Sequence, residues 1–180
     1  TLDNGNGAVT EKNVPFFESR FLWSYLTAIK HANKKDWWII QPKDSEAGIF
    51  YSILLSATGF EVIDSSSFIP STFTEFSGSS GDAKFSPDGT KYVYYNMYDD
   101  LNVFDFDRET GILSNRTTLD FNRPEGAVFA SVEFSPNSRF VYLSNTDSLF
   151  QVDLWEDKLE DGKIAIIPPS PYKPIDLFSL

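Results

Sequence analysis

A strand-turn-strand unit written more than once into one chain constrains its fold more than any other feature, because each copy has to bury its faces against its neighbours. Ala83-Lys84-Phe85-Ser86-Pro87-Asp88-Gly89-Thr90-Lys91-Tyr92-Val93-Tyr94-Tyr95 recurs as Val132-Glu133-Phe134-Ser135-Pro136-Asn137-Ser138-Arg139-Phe140-Val141-Tyr142-Leu143. The alignment takes one deletion near the turn, and Phe85 to Phe134 is a step of 49 residues. A weaker upstream copy runs from Ala28 to Ile40, with Trp37 where Tyr92 and Phe140 fall and His31-Ala32 in place of Ser-Pro. Pro fixes φ, Asp bonds back to the backbone and Gly tolerates positive φ, so Ser-Pro-Asp-Gly closes a hairpin. His31, Trp37, Phe85, Pro87, Asp88, Gly89, Tyr92, Phe134, Pro136 and Phe140 are therefore the residues expected to set the turns and the core.

Each copy continues in the same way. A further strand follows at Phe50 to Leu55, Leu101 to Phe106 and Leu149 to Leu154, and another begins after Gly59, Gly111 and Gly162. The β-branched and aromatic residues of these stretches suit a pleated, half-buried surface. Four short antiparallel strands at a period of about 50 residues are the signature of a propeller blade. The expected fold is all-β, a partial β-propeller of about three blades. The blades run over residues 26–70, 71–125 and 126–170, with 1–25 as an N-terminal segment ending a preceding blade and 171–180 starting a next one. Phe17, Phe21, Leu22, Tyr25, Leu26 and Ile29 recur at helical spacing, which competes with the repeat register over 16–30. The register makes Leu26 to His31 a strand and leaves Pro15 to Ser24 open, and Asp64 to Ser80 reads as a long connection. Propellers need about four to eight blades to close. The chain thus reads as a piece whose partners are the remaining blades or another copy of itself.

Composition narrows the function. A net charge of -11 repels nucleic acid and anionic membrane, and no stretch has the run of apolar residues a membrane span needs. Without cysteine there is no disulfide framework and no thiolate metal site. His31 is the single histidine, so a Ser-His-Asp triad needs residues that cannot be assigned here, and the imidazole reads as a turn residue. Asp99, Asp100, Asp105 and Asp107, and later Asp153, Glu156, Asp157, Glu160 and Asp161, lack the spacing of a calcium loop and read as solvated faces. Asp3-Asn4-Gly5-Asn6-Gly7 reads as a tail. Trp23, Trp37, Trp38 and Trp155 suit sugar stacking where exposed and packing where buried. Asn115-Arg116-Thr117 fits a glycosylation sequon. No catalytic residue, cofactor or metal is assigned.

From Gly81 to Gly111, Phe-Ser-Pro-Asp-Gly, Asn-Val-Phe-Asp-Phe-Asp and Glu-Thr-Gly resemble two groups of propellers. One is the seven-bladed lactonase-like family. The other is a set of large secreted Bacteroidetes proteins ending in a type IX secretion sorting domain, whose propeller regions carry segments like Lys30-His31-Ala32-Asn33-Lys34-Lys35-Asp36-Trp37-Trp38-Ile39. That second resemblance covers Leu26 to Asp153. It implies an extracellular or cell-surface location and a non-enzymatic scaffold or adhesion module that binds protein or glycan. The first implies an enzyme with charged residues from several blades meeting in the central channel. A propeller accessory to a peptidase is a third reading.

Overall fold

The computed structural model describes residues 2–5, 8–9, 12–13, 15, 24–43, 49–67, 81–96, 100–121, 130–145 and 148–168. Among these residues twelve strands form three separate antiparallel sheets of four, and each sheet is a meander in chain order. Blade 1 comprises β1 (Thr27–Lys30), β2 (Trp37–Pro42), β3 (Ile49–Ser56) and β4 (Gly59–Ser67). Blade 2 comprises β5 (Gly81–Phe85), β6 (Lys91–Asn96), β7 (Asp100–Phe106) and β8 (Leu113–Leu119). Blade 3 comprises β9 (Ala130–Phe134), β10 (Phe140–Asn145), β11 (Leu149–Asp153) and β12 (Lys163–Ile167). The described residues hold no α-helix, only a short 3-10 turn at Leu2–Gly5. The chain is a partial propeller. Thr27–Lys30 is a strand, while the rest of the helical-periodicity stretch, 16–23, falls outside the described residues, as does 68–80 of the expected connection.

The blades stack through their faces, which explains the alternation along each strand. Phe85, Tyr92, Phe104 and Phe106 of blade 2 meet Trp38, Ile40, Phe50 and Ile29 of blade 1. The opposite face, with Val93, Tyr95, Leu101 and Val103, meets Val132, Phe134, Val141, Leu143 and Val152 of blade 3. Adjacent positions on one strand thus serve two different interfaces, and a one-residue slip would exchange them. The first strands of adjacent blades, β1 with β5 and β5 with β9, also approach directly, which sets them innermost.

The hairpin turn is the same object three times. The backbone N–H of His31, Ser86 and Ser135 donates to the carbonyl of Asp36, Lys91 and Phe140, five residues on in every case, at 2.8 to 3.0 Å. Asn33, Asp88 and Asn137 cap the turn from within: Asp88 Oδ1 accepts from Ser86 Oγ (2.6 Å) and Thr90 N (2.9 Å), and Asn137 Oδ1 accepts from Ser135 Oγ (2.6 Å) and Arg139 N (3.2 Å). The next residue takes a left-handed φ: 63° at Lys34, 76° at Gly89 and 61° at Ser138. No residue is deleted between the copies, so the expected equivalence shifts by one in the third. Phe85 pairs with Tyr92, Lys30 with Trp37, and Phe134 with Val141, so Val141 is the partner position and Phe140 corresponds to Lys91.

Candidate functional site

At a blade's inner strand, side chains near the axis are the ones a central channel would present. Four residues before each turn-opening residue stand Thr27, Asp82 and Ser131, and two before it stand Ile29, Lys84 and Glu133. Asp82 is the hub of this inner ring. Its Oδ2 accepts from Ser131 Oγ at 3.2 Å and from Val132 N at 3.4 Å across the blade 2–blade 3 junction, its Oδ1 accepts from Ala83 N at 2.9 Å, and Lys84 Nζ lies 3.4 Å away. One carboxylate therefore ties two blades and holds an ammonium at the same level. Ser131 and Glu133 are exposed, Lys84 and Asp82 half-buried. Glu133 Oε1 accepts from the next backbone N–H, Phe134 N, at 3.0 Å.

Behind the ring lies a buried tyrosine cluster. Asn96 Nδ2 donates to Tyr25 Oη and Tyr94 Oη, 3.0 Å each, and the Tyr92 hydroxyl is buried without a partner among the described residues. Burial, with Tyr25 and Asp82 nearby, pushes the Tyr92 phenol well above its ordinary value. Gly81 sits against Tyr25, where a Cβ would overlap both Tyr25 Oη and the Tyr95 carbonyl.

The residues expected from the repeat fall mainly on turns and interfaces. Pro87, Asp88, Pro136 and Asn137 are exposed turn residues, while Gly89 is buried against Arg108 and Ile29. Tyr92 and Phe134 are core. Trp37 is not: it is 39% exposed, on the face turned away from blade 2, whereas Trp38 is 2% exposed and anchors the blade 1–blade 2 interface. His31 closes its own turn by accepting the Asn33 N–H on Nδ1 at 2.9 Å and stacks on Trp38 at 5.5 Å. Among the described residues no three His, Asp or Glu gather in a metal-holding group. The inner ring was absent from the sequence-based set, although its signal, a polar residue four before each turn, was readable once the turn was fixed.

No family model matches the chain, and no curated protein matches it. Solved structures do. A candidate 6-phosphogluconolactonase from Bacteroides fragilis superposes with a TM-score of 0.51 at 15% identity, over 79% of this chain and 39% of its own. A periplasmic gluconolactonase from Pseudomonas aeruginosa gives 0.48 at 20% identity, over 80% and 40%. The β-propeller domain of Cps50 from Myceliophteria thermophila gives 0.48 at 14%, over 82% and 44%. The chain thus spans about two fifths of the length of these structures. The shared property is the propeller, and the lactonase-like resemblance finds counterparts among them, while the secreted sorting-domain proteins find none. The expectation of a non-enzyme is corrected by the same finding, since the Bacteroides structure is described as a candidate lactonase.

Proposed function

We propose that these blades belong to a propeller hydrolase of the lactonase-like kind, which opens the ring ester of a sugar lactone at the channel axis. One observation carries the reading: where the inner strands of adjacent blades meet, Asp82 gathers Ser131 and Lys84, and the exposed Glu133 follows Ser131 by two residues on the same strand, hence on the same face. The fold it shares with the Bacteroides structure supports it. In such a hydrolysis, water oxygen bonds to the lactone carbonyl carbon and gives up a proton to a carboxylate. Negative charge collects on the carbonyl oxygen, the bond to the ring oxygen breaks, and that oxygen takes a proton. Glu133, exposed, is the base in this reading, and the Lys84 ammonium stabilises the oxyanion. Asp82, committed to Ser131, Val132 and Lys84, is a positioning residue. Further blades, from the same polypeptide or a second copy, complete the ring.

The test is proton release from glucono-δ-lactone by the full-length gene product. Saturable hydrolysis above the spontaneous rate is expected, with Glu133→Gln and Lys84→Met each lowering kcat/KM by about 100-fold or more. A full-length protein that leaves the spontaneous rate unchanged, or variants as active as the parent, would overturn the proposal.

A further inference from the structure

Away from the axis, a cleft of about 540 Å³ opens between blade 1 and the β7–β8 turn of blade 2, lined by His31, Trp38, Leu54, Ile63, Glu109, Thr110 and Ile112. Its volume lies in the range of small-molecule sites, roughly 300 to 1,000 Å³. We propose that it is a second binding site, for a small amphipathic cation that carries an ammonium on an apolar body.

The apolar part of the site is built and left open. Trp38, buried and hydrogen-bonded, lines the cleft with the His31 imidazole stacked on it at an interplanar angle of 22°. Ile63 and Ile112, 43% and 46% exposed, present large aliphatic side chains to solvent on either side of the blade junction. Leu54 is half-buried between them, and its cross-strand partner Glu61 adds an exposed carboxylate beside it.

The polar part selects the sign of charge. His31 Nδ1 accepts the Asn33 N–H at 2.9 Å and is thereby engaged within its own turn. Thr110 Oγ donates to Asp107 Oδ2 at 2.8 Å, and Arg108 turns its guanidinium to the carbonyls of Lys30 and Asp88. Among the described residues, Glu109 is left as the charged group of the lining, and no Lys or Arg lines the cleft. The blade 2–blade 3 junction provides the internal comparison. The corresponding cleft there, about 350 Å³, has apolar walls from Val103, Phe104, Leu154 and Leu159, and its charged lining combines four carboxylates with Lys91 and Lys158, of which Lys91 pairs with Asp105. Both clefts have apolar walls and carboxylates, but at that junction two of the chain's own ammonium groups join the carboxylates, whereas the described lining of the first holds a carboxylate and no Lys or Arg. A net charge of -11 adds a field that favours a cationic guest.

The single histidine makes the test direct, because its ring signals report on this cleft without ambiguity. The full chain is titrated with phenethylammonium, and separately with phenylacetate and 2-phenylethanol, while the His31 imidazole resonances are followed by NMR. Saturable shifts are expected with phenethylammonium bound about tenfold more tightly than phenylacetate. Glu109→Gln should erase that preference while leaving 2-phenylethanol unchanged, and Ile63→Ser should weaken all three. Both substitutions are at exposed positions, and an unchanged amide spectrum verifies the fold. Absence of a saturable His31 shift, equal binding of phenylacetate, or a preference that survives Glu109→Gln would each overturn the proposal. None of these readouts depends on lactone hydrolysis.

Discussion

The indole Nε1–H of Trp38 in blade 1 donates to the backbone carbonyl of Arg108 in blade 2 at 2.8 Å, and Ala32 N donates to the same oxygen at 3.0 Å. Two donors from one blade converge on one acceptor of the next, so a polar bond fixes the rotation of an otherwise apolar interface. Ser52 Oγ adds a second such tie to the Gly111 carbonyl at 2.5 Å.

Trp38→Phe keeps most of the ring but removes the N–H, and should cost about 1 to 3 kcal/mol in urea unfolding. The same substitution at its neighbour, Trp37→Phe, should stay within about 0.5 kcal/mol, because that ring is 39% exposed and faces away from blade 2.

Two glycines with positive φ should respond differently to alanine. At Gly59 (φ 120°) an added Cβ meets open space, so the cost is backbone strain alone, about 1 kcal/mol or slightly more. At Gly111 (φ 76°) it would overlap the six-membered ring of Trp38, and the strain is joined by displacement of the interface anchor. The loss at Gly111 should exceed that at Gly59 by about 1 to 3 kcal/mol. Paired urea melts of the two variants check the ordering.

Acid should weaken the second turn through Asp88. Burial raises its pKa, but hydrogen bonds from Ser86, Thr90 and Ser138 outweigh this and hold the folded value below the ordinary one. A group depressed on folding contributes stability that is fully present above its unfolded pKa and is lost as the pH falls through the lower folded value. Asp88→Asn should therefore flatten the acid limb of stability against pH below about pH 4. A limb unchanged from the parent would contradict this.

In blade 3, Arg139 grips Asp153 through Nε at 2.9 and 3.0 Å and through Nη2 at 2.5 Å, holding that carboxyl below the usual range. Arg139→Gln should raise the Asp153 titration midpoint, read from its carboxyl carbon shift. It should also free the Trp155 indole, over which the guanidinium sits at 4.8 Å, and increase its quenching by acrylamide.

Much of the fold was legible because the turn carries its own chemistry. Pro87-Asp88-Gly89 announces a hairpin, and strands with β-branched and aromatic residues follow at regular steps. The third copy misled by one residue because Ser138 occupies the left-handed position that Gly89 fills in the second. Glycine advertises such a position and serine does not, so the intact turn read as a deletion. Trp37 corresponds to Tyr92 along the hairpin and faces the same side of its blade, yet Tyr92 is covered by blade 1 while no blade among the described residues covers Trp37. Burial follows from which face has a neighbour, and a local pattern carries no record of that. The bonds from Ser131 to Asp82 and from Trp38 to Arg108 were illegible for the same reason, since they exist only once blades stack.

The invariant turn has a consequence for how such a chain can change. Ser86 follows His31 by 55 residues and Ser135 follows Ser86 by 49, yet the hairpin between strands spans the same five-residue step each time. Drift in length is absorbed entirely in the outer parts of the unit, so the inner hairpin acts as a gauge and the periphery as slack. Insertions, grafts or duplicated units joined through that slack would leave the spacing of groups along the axis untouched.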